Sequence, residues 1–423
     1  MDLETKLGIL MSLAADDREG LPGSNAVLPP RLRNAGQAGA LRPLNIRDVR
    51  VGPHGPRKAL LRILMTNACS FNCHFCPMRR DRELPRTLLK PEEVVRIFLA
   101  TVQRGWASGL FITTGIPGRP TRVMDQLITV LELLRVRHKY RGYIHVKIVP
   151  GAEEAQVDRI TALASRVSIN LETPCGESLT QIAPDKRFAT TLVTLQRAQR
   201  QVVTAREEER HGRPHDDLLP GGTAGMTTQF VVGATPDSDR TMLAKVGDLY
   251  RTGGLHHAHF SAFRPIRDTP LETMHSAPAV REHRLYQADH LVRRYGYGGE
   301  ELIFDATGNL PHDHDPKIAW ALAHPERFPL ALETASYDEL LRVPGIGPLV
   351  AQRLVAERRR TTFRGLGDLR RLGMVTLRAQ GFITLRGRRL AAERWREQLS
   401  FWRAEEQVGM RERTYELSPG TFR

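Results

Sequence analysis

Six short β-rich runs, each followed by a helical stretch, dominate the middle of this chain and leave few folds open to it. The runs are "RILMTN", "LFITTG", "YIHVKIV", "RVSINLE", "TTQFVVGA" and "HHAHFSAF", spread from Arg62 to Phe263. Between them lie periodic segments such as "PEEVVRIFLATVQRG", opened by Pro91 and early acids, and "RVMDQLITVLELLRVRHK", closed by basic residues. Strands alternating with helices predict a parallel sheet with helices outside. At 423 residues the chain exceeds what one hydrophobic core supports, so a second, smaller unit is expected.

Strand parity adds what the strand positions alone do not. In "RVSINLE", Val167, Ile169 and Leu171 share one face, while Ser168, Asn170 and Glu172 share the other. "YIHVKIV" repeats the pattern, with Ile144, Val146 and Ile148 opposed to Tyr143, His145 and Lys147. If helices cover the apolar faces, the polar faces converge inside a barrel. Lys147, Asn170, Glu172, Gln229, His259 and Ser261 then line its interior, where a closed eight-stranded barrel would carry branched apolar residues. A ligand cavity follows; the alternative is a set of edge strands with one face in water.

Cysteine use points to the chemistry. Three of the four thiols, Cys69, Cys73 and Cys76, fall in "CSFNCHFC", directly after the first strand, where barrel folds place their active-site loops. Four cysteines are too few for a disulfide framework, and three this close are poorly placed to pair. Three thiolates in one loop can each bind one iron of a cubane cluster and leave the fourth iron open, whereas structural zinc normally takes four protein ligands. Zinc completed by His74 or a distant group is the competing use. Cys175, in "ETPCGESL", reads as a small, partly buried residue. His312 and His314 in "NLPHDHDPK" read as part of a solvated turn rather than a metal site.

The spacing C-x3-C-x2-C, with Phe75 before the last cysteine, resembles the signature of the radical S-adenosylmethionine (SAM) superfamily. The resemblance implies a partial (β/α)6 TIM-like barrel, a 4Fe-4S cluster and S-adenosyl-L-methionine as cofactors, and reductive cleavage of SAM to a 5'-deoxyadenosyl radical that abstracts hydrogen from a substrate. It makes Cys69, Cys73 and Cys76 the cluster ligands and sets Phe75 against the adenine. Thr113, Thr114 and Gly115 stand where the superfamily has a Gly-Gly-Glu-like segment for the methionine amino group; the acid is missing here. Glu172 is implied to hold the ribose hydroxyls with Asn170 below it, although an ion pair with Lys147 across the lumen is the plainer role for that acid. Gly233 is implied to let the fifth strand approach the adenine.

The net charge of +15 argues for an anionic partner, and distribution sharpens the argument. Between Leu341 and Ser400 lie fourteen arginines and four acids. There "LLRVPGIGPLVAQRLVAERRR" resembles a helix-hairpin-helix motif: Pro344, Gly345, Ile346 and Gly347 form the hairpin, and the free N–H groups opening the next helix suit a phosphate. Arg353, Arg358, Arg359 and Arg360 would supply the counterions. "FRGLGDLRRLGMVTLRAQGFI" resembles a second, degenerate copy. A protein-binding or architectural helix pair is the alternative.

Together the two halves resemble a family of radical SAM proteins assigned to DNA modification or repair and linked to a uracil-DNA-glycosylase-like partner. "GYIHVKIVPGA", "IAPDKRF", "QFVVGATPDSD" and "DPKIAWALAHPERFP" carry the likeness, although the upstream cysteines common in that family are missing from this leader. The expected organisation is an irregular leader over 1–55, the barrel over 56–275, a helical connector over 276–335, an all-α helix-hairpin-helix domain over 336–400 and a tail over 401–423. Thr204 to Gly225, charged and rich in Gly and Pro, is expected to be a loop. The expected partners are nucleic acid, DNA favoured over RNA, and an electron donor. No apolar run approaches the roughly 18 residues needed to cross a bilayer, and no secretory signal opens the chain, so the cytoplasm is the expected compartment. RNA modification, and noncatalytic nucleic-acid binding around a structural metal, are the other readings.

Overall fold

The computed structural model describes residues 1–14, 45–50, 57–211, 223 and 225–390. The chain forms two compact units, one of residues 1–237 with 248–278, the other of 238–247 with the chain from 279 onward.

The first unit is built on a seven-stranded sheet in sequence order: β1 (Asn45–Arg50), β2 (Arg57–Leu64), β3 (Gly109–Thr113), β4 (Tyr143–Lys147), β5 (Arg166–Ser168), β6 (Met226–Val232) and β7 (Leu255–Ala262). β1 pairs antiparallel with β2, and every later pair is parallel. The sheet curls into a half-barrel, the α/β architecture expected of a radical SAM fold. Its six parallel strands are the six runs read from the sequence.

Ile144, Val146, Val167, Ile169 and Leu171 are all buried, and so are Tyr143, His145, Ser168 and Glu172 at the alternate positions, so both faces of these strands are covered. The helices of this unit are α2 (Pro91–Gln103), α3 (Pro120–Glu132), α4 (Glu154–Leu163), α5 (Gly176–Ile182) and α6 (Phe188–Arg210); α7 (Asp239–Arg251) divides between the two units. α2 shows why such segments become helices. Pro91 supplies the fixed φ of a first turn, and Glu93 accepts from the Lys90 N–H at 2.7 Å. Val94, Val95, Ile97 and Phe98 then fall on one buried stripe.

Two expectations for this unit need revision. The leader is not irregular throughout: α1 spans Leu3–Ala14, buries Leu7 and Leu10, and ties Lys6 Nζ to Glu93 at 3.0 Å, while Asn45–Arg50 forms β1. The loop placed from Thr204 begins later, because α6 runs on to Arg210. "TAREEER" is rich in strong helix formers, and its charge does not prevent a helix. The rest of that stretch, apart from His211, Thr223 and Gly225, lies outside the described residues, as does the tail over 401–423.

The second unit carries α8 (Ala279–Tyr295), α9 (Pro316–Ala323), α10 (Tyr337–Arg342), α11 (Pro348–Glu357), α12 (Leu366–Arg371) and α13 (Thr376–Ala379). It is not all-α. β8 (Leu330–Ala331), β9 (Ile383–Leu385) and β10 (Arg388–Arg389) form a three-stranded sheet, in strands too short for any period to show in sequence. "HDHDPK" is more than a solvated turn: Asp315 is buried and caps α9, accepting from the Lys317 and Ile318 N–H groups at 3.1 and 3.2 Å.

Candidate active site

The three clustered cysteines sit in the loop after β2, and that loop is held from both sides. Where it leaves the sheet, Met65 N–H donates to Thr113 O at 2.8 Å and Gly115 N–H to Thr66 O at 2.7 Å. Gly115 has no room for a side chain, since a Cβ there would lie 2.3 Å from the Ala68 carbonyl oxygen. Farther round, Ser70 N–H donates to Ile116 O at 2.7 Å, and Gly118 N–H donates to the Ser70 hydroxyl at 2.7 Å. Thr113, Thr114 and Gly115 therefore lie against the root of the cysteine loop.

Arg86 closes the loop from within. Its guanidinium donates to the carbonyls of Asn67, Met78, Arg79 and Arg82 at 2.5 to 2.8 Å. These four acceptors come from both ends of the segment that contains Cys69, Cys73 and Cys76, so one side chain fixes its shape. Burial pulls the Arg86 guanidinium below its usual range, while thiolate charge at Cys69 and Cys76 works in the opposite direction.

On the far side the loop meets α5 and the turn that follows. His74 N–H donates to Ile182 O at 2.7 Å, and Asn72 N–H to Asp185 Oδ2 at 2.6 Å. Cys73 is buried in a cluster with Leu179 and Ala183, against which Phe71, Phe75, Cys76 and Phe188 pack. Phe75 also packs on Ile182, Val231, Ala234 and Phe263, the region where β6 ends and Gly233 turns at φ 84°. Burial pushes the Cys73 thiol up to about 11 and the Cys76 thiol up to about 12, so the free thiols hold their protons at neutral pH and a metal must displace them.

Glu172 lies just past β5 on the polar face, with Asn170 half-buried two residues before it. Its backbone is bonded into the sheet, N–H to Gln229 O at 2.9 Å and carbonyl from Val231 N–H at 2.8 Å. The buried carboxylate forms an ion pair with Lys186 Nζ at 2.7 Å, a partner that lies beyond α5 and that no sequence pattern announced. Its second oxygen, Oε2, is buried with no hydrogen-bond partner among the described residues. Cys175 is half-buried and lies 3.3 Å from the Ser178 hydroxyl, away from the clustered thiols in its bonding.

No group of three or more His, Cys, Asp or Glu side chains among the described residues could hold a single metal ion. A cubane asks for something different, since each thiolate binds its own iron.

In the second unit the two helix pairs repeat at a spacing of 28 residues. Gly345 and Gly373 both have positive φ, 84° and 96°. Ile346 and Met374 are buried, as are Ala351 and Ala379, while Leu349 and Leu377 are exposed. The hairpins interlock: Val375 N–H donates to Gly345 O at 3.0 Å, and a Cβ on Gly345 would lie 2.5 Å from the Val375 carbonyl oxygen. The arginines divide in their work. Arg358 is not a free counterion, because its guanidinium is engaged by the carbonyls of Leu332 and Ala335 at 3.1 and 2.6 Å. Arg353 reaches the Leu372 carbonyl at 3.2 Å from an exposed position, and Arg359 and Arg360 are exposed.

Residues 63–204 match the family model described as the Radical SAM superfamily. No curated protein matches the chain. Among solved structures it is similar to HydG, a maturase of the FeFe-hydrogenase, at 15% identity over 55% of this chain and 49% of that one, with a TM-score of 0.42. The FeFe-hydrogenase maturase HydG from Carboxydothermus hydrogenoformans gives 17%, 55%, 51% and 0.43. Methylornithine synthase (PylB) gives 14% identity over 67% of this chain and 68% of that one, with a TM-score of 0.43. The chain thus spans about half the length of the two HydG proteins. No helix among the described residues is long and apolar enough to cross a membrane. The first unit thus contains a radical SAM superfamily domain, over residues 63–204.

Proposed function

We propose that this enzyme binds nucleic acid through the paired hairpins of its second unit and modifies or repairs a nucleotide at the radical SAM site of its first, with DNA the favoured polymer. The observation that carries this reading is the 28-residue repeat. Two interlocked glycine hairpins, each followed by a helix and accompanied by exposed arginines, suit phosphates of a backbone and read no bases. Pro344, Gly345, Ile346 and Gly347 are the first contact, with Arg353, Arg359 and Arg360 supplying charge. A base or sugar must then leave its stack to be reached, so a single strand, an end or an extruded nucleotide is the form acted on.

The residues at the site fit the cofactors. Cys69, Cys73 and Cys76 share a loop fixed by Arg86, and each would hold one iron. Glu172 keeps one buried carboxylate oxygen unmatched, an acceptor suited to a ribose hydroxyl. Phe75 would cover the adenine, with Gly233 permitting close approach, and Asn170 would lie below Glu172 at the ribose. Thr113, Thr114 and Gly115 would accept from the methionine amino group through hydroxyls and carbonyls, since no acid stands there. When bound, the cluster supplies the electron that splits SAM and so yields the radical that abstracts hydrogen.

Two anaerobic measurements test the proposal. Reconstituted protein, reduced with SAM present, should release 5'-deoxyadenosine, and mutation of the cysteine triad should abolish it. Matched DNA and RNA strands at moderate salt should then show tighter binding to DNA. Equal or stronger RNA binding would favour the RNA-modifying reading. A nucleoside mass change in a deletion strain would identify the product, and co-purification of a uracil-DNA-glycosylase-like protein would support that partner.

A further inference from the structure

Between α5 and α6 the chain makes a short strap, "IAPDKR", that is fixed to the cysteine loop at two points, one on each side of Cys73. Ile182 O takes the His74 N–H and Asp185 Oδ2 takes the Asn72 N–H, while Ala183 packs against Cys73 itself. Lys186 N–H bonds back to Ala183 O at 2.9 Å, which holds the strap in a tight turn. From this turn the Lys186 side chain runs inward and donates to Glu172 Oε1 at 2.7 Å, with both side chains nearly enclosed, 12% and 5% exposed.

A pair this deep is a poor device for stability. Removing two charges from water costs several kcal/mol each, and an apolar pair of similar volume does as well or better. Retaining it calls for a role, and the position suggests one. The strap is anchored to the metal-binding loop, and its lysine reaches the carboxylate on β5's polar face. Lys186 stands three residues from Ala183, which packs on Cys73, and next to Asp185, which is bonded to the residue before Cys73, so the pair is built into the wall of the cysteine loop.

We propose that Lys186 is a positioning residue that links the two halves of the active site: it fixes the Glu172 carboxylate for the SAM ribose and sets the local charge beside the cluster. The inference rests on the roles given above to Cys69, Cys73, Cys76 and Glu172. With one oxygen tied to Lys186, the carboxylate cannot rotate freely and presents Oε2 alone. A fixed positive charge beside a cluster favours its more negative, reduced state, and a fixed negative charge disfavours it.

The two members of the pair should therefore shift the cluster in opposite directions. In anaerobically reconstituted holoenzyme, followed by electron paramagnetic resonance during a redox titration, Lys186→Met should lower the midpoint potential and Glu172→Gln should raise it. Both should weaken SAM binding, by about tenfold for Lys186→Met, equivalent to about 1.4 kcal/mol. Lys186→Arg, which keeps the charge, should return the potential toward wild type. Should Lys186→Met fail to retain iron, Lys186→Gln against Glu172→Gln makes the same comparison of signs. A Lys186 substitution that holds its cluster with unchanged potential and SAM affinity overturns the proposal. If Glu172→Gln also leaves SAM affinity unchanged, the assignment of the ribose site itself has failed, and the two failures are thereby told apart.

Discussion

The cysteine loop and the paired hairpins both carry an excess of arginine, yet they use it differently. In the loop, Arg86 gives its donors to four backbone carbonyls and serves shape alone. In the second unit the same residue type does two jobs. Arg358 ties down the Leu332 and Ala335 carbonyls, and Arg342 stacks 3.9 Å over Tyr297 and pairs with Glu301, while Arg359 and Arg360 stay at the surface. Net charge therefore overstates what is available to a partner. An arginine contributes to an electrostatic footprint only after the backbone has taken what it needs.

That contrast can be broken most severely at Arg86. Arg86→Met should cost about 4 kcal/mol or more, because several carbonyls lose their donor at once, and the protein should lose iron as well as thermal stability. The hairpin unit should respond to pH instead. Burial, with Arg284 beside His283 and with Arg293, Arg294 and Lys317 around His290, lowers each imidazole to about 4; Asp315 opposes this at His283. An unfolded chain binds protons at these sites below the ordinary histidine value of 6.5, so their stabilising contribution is full above that pH and is lost as pH falls toward 4. Thermal unfolding over that window should show a loss of up to about 3 kcal/mol per histidine, and His290→Gln should flatten the profile. Arg358→Ala should cost about 1–2 kcal/mol with the cluster untouched. Smallest in stability and largest in binding, the double substitution Arg359→Ala, Arg360→Ala should leave the melting temperature unchanged. It should also flatten the salt dependence of DNA affinity by about 0.9 in log–log slope for each phosphate no longer neutralised. A drop in melting temperature equal to that of Arg358→Ala would erase the distinction.

What could be read in advance was whatever lies within one stretch of chain. The parallel strands declared themselves by alternation, and the triad by spacing within eight residues. What could not be read was pairing across distance. Glu172 finds Lys186, not a residue of its own strand pattern, and Arg86 finds carbonyls on both arms of its loop. "DK" in "IAPDKRF", two opposite charges just past a short apolar helix, was the one available sign of the strap, and nothing in the string says which way either side chain points. The C-terminal sheet escaped for a simpler reason, since strands of two or three residues have no period.

Glu172 adopts a φ of 65°, in the left-handed region that glycine and asparagine tolerate best, with bonds to Gln229 and Val231 clamping it there. Glycine would relax that turn but would remove the acid. The chain accepts a local penalty of about 1–2 kcal/mol in order to keep an anionic side group at this spot. Glu172→Gly should relax that backbone yet strand the Lys186 charge in the interior at a cost of about 3–5 kcal/mol, so thermostability screens should recover it only together with a neutral replacement of Lys186.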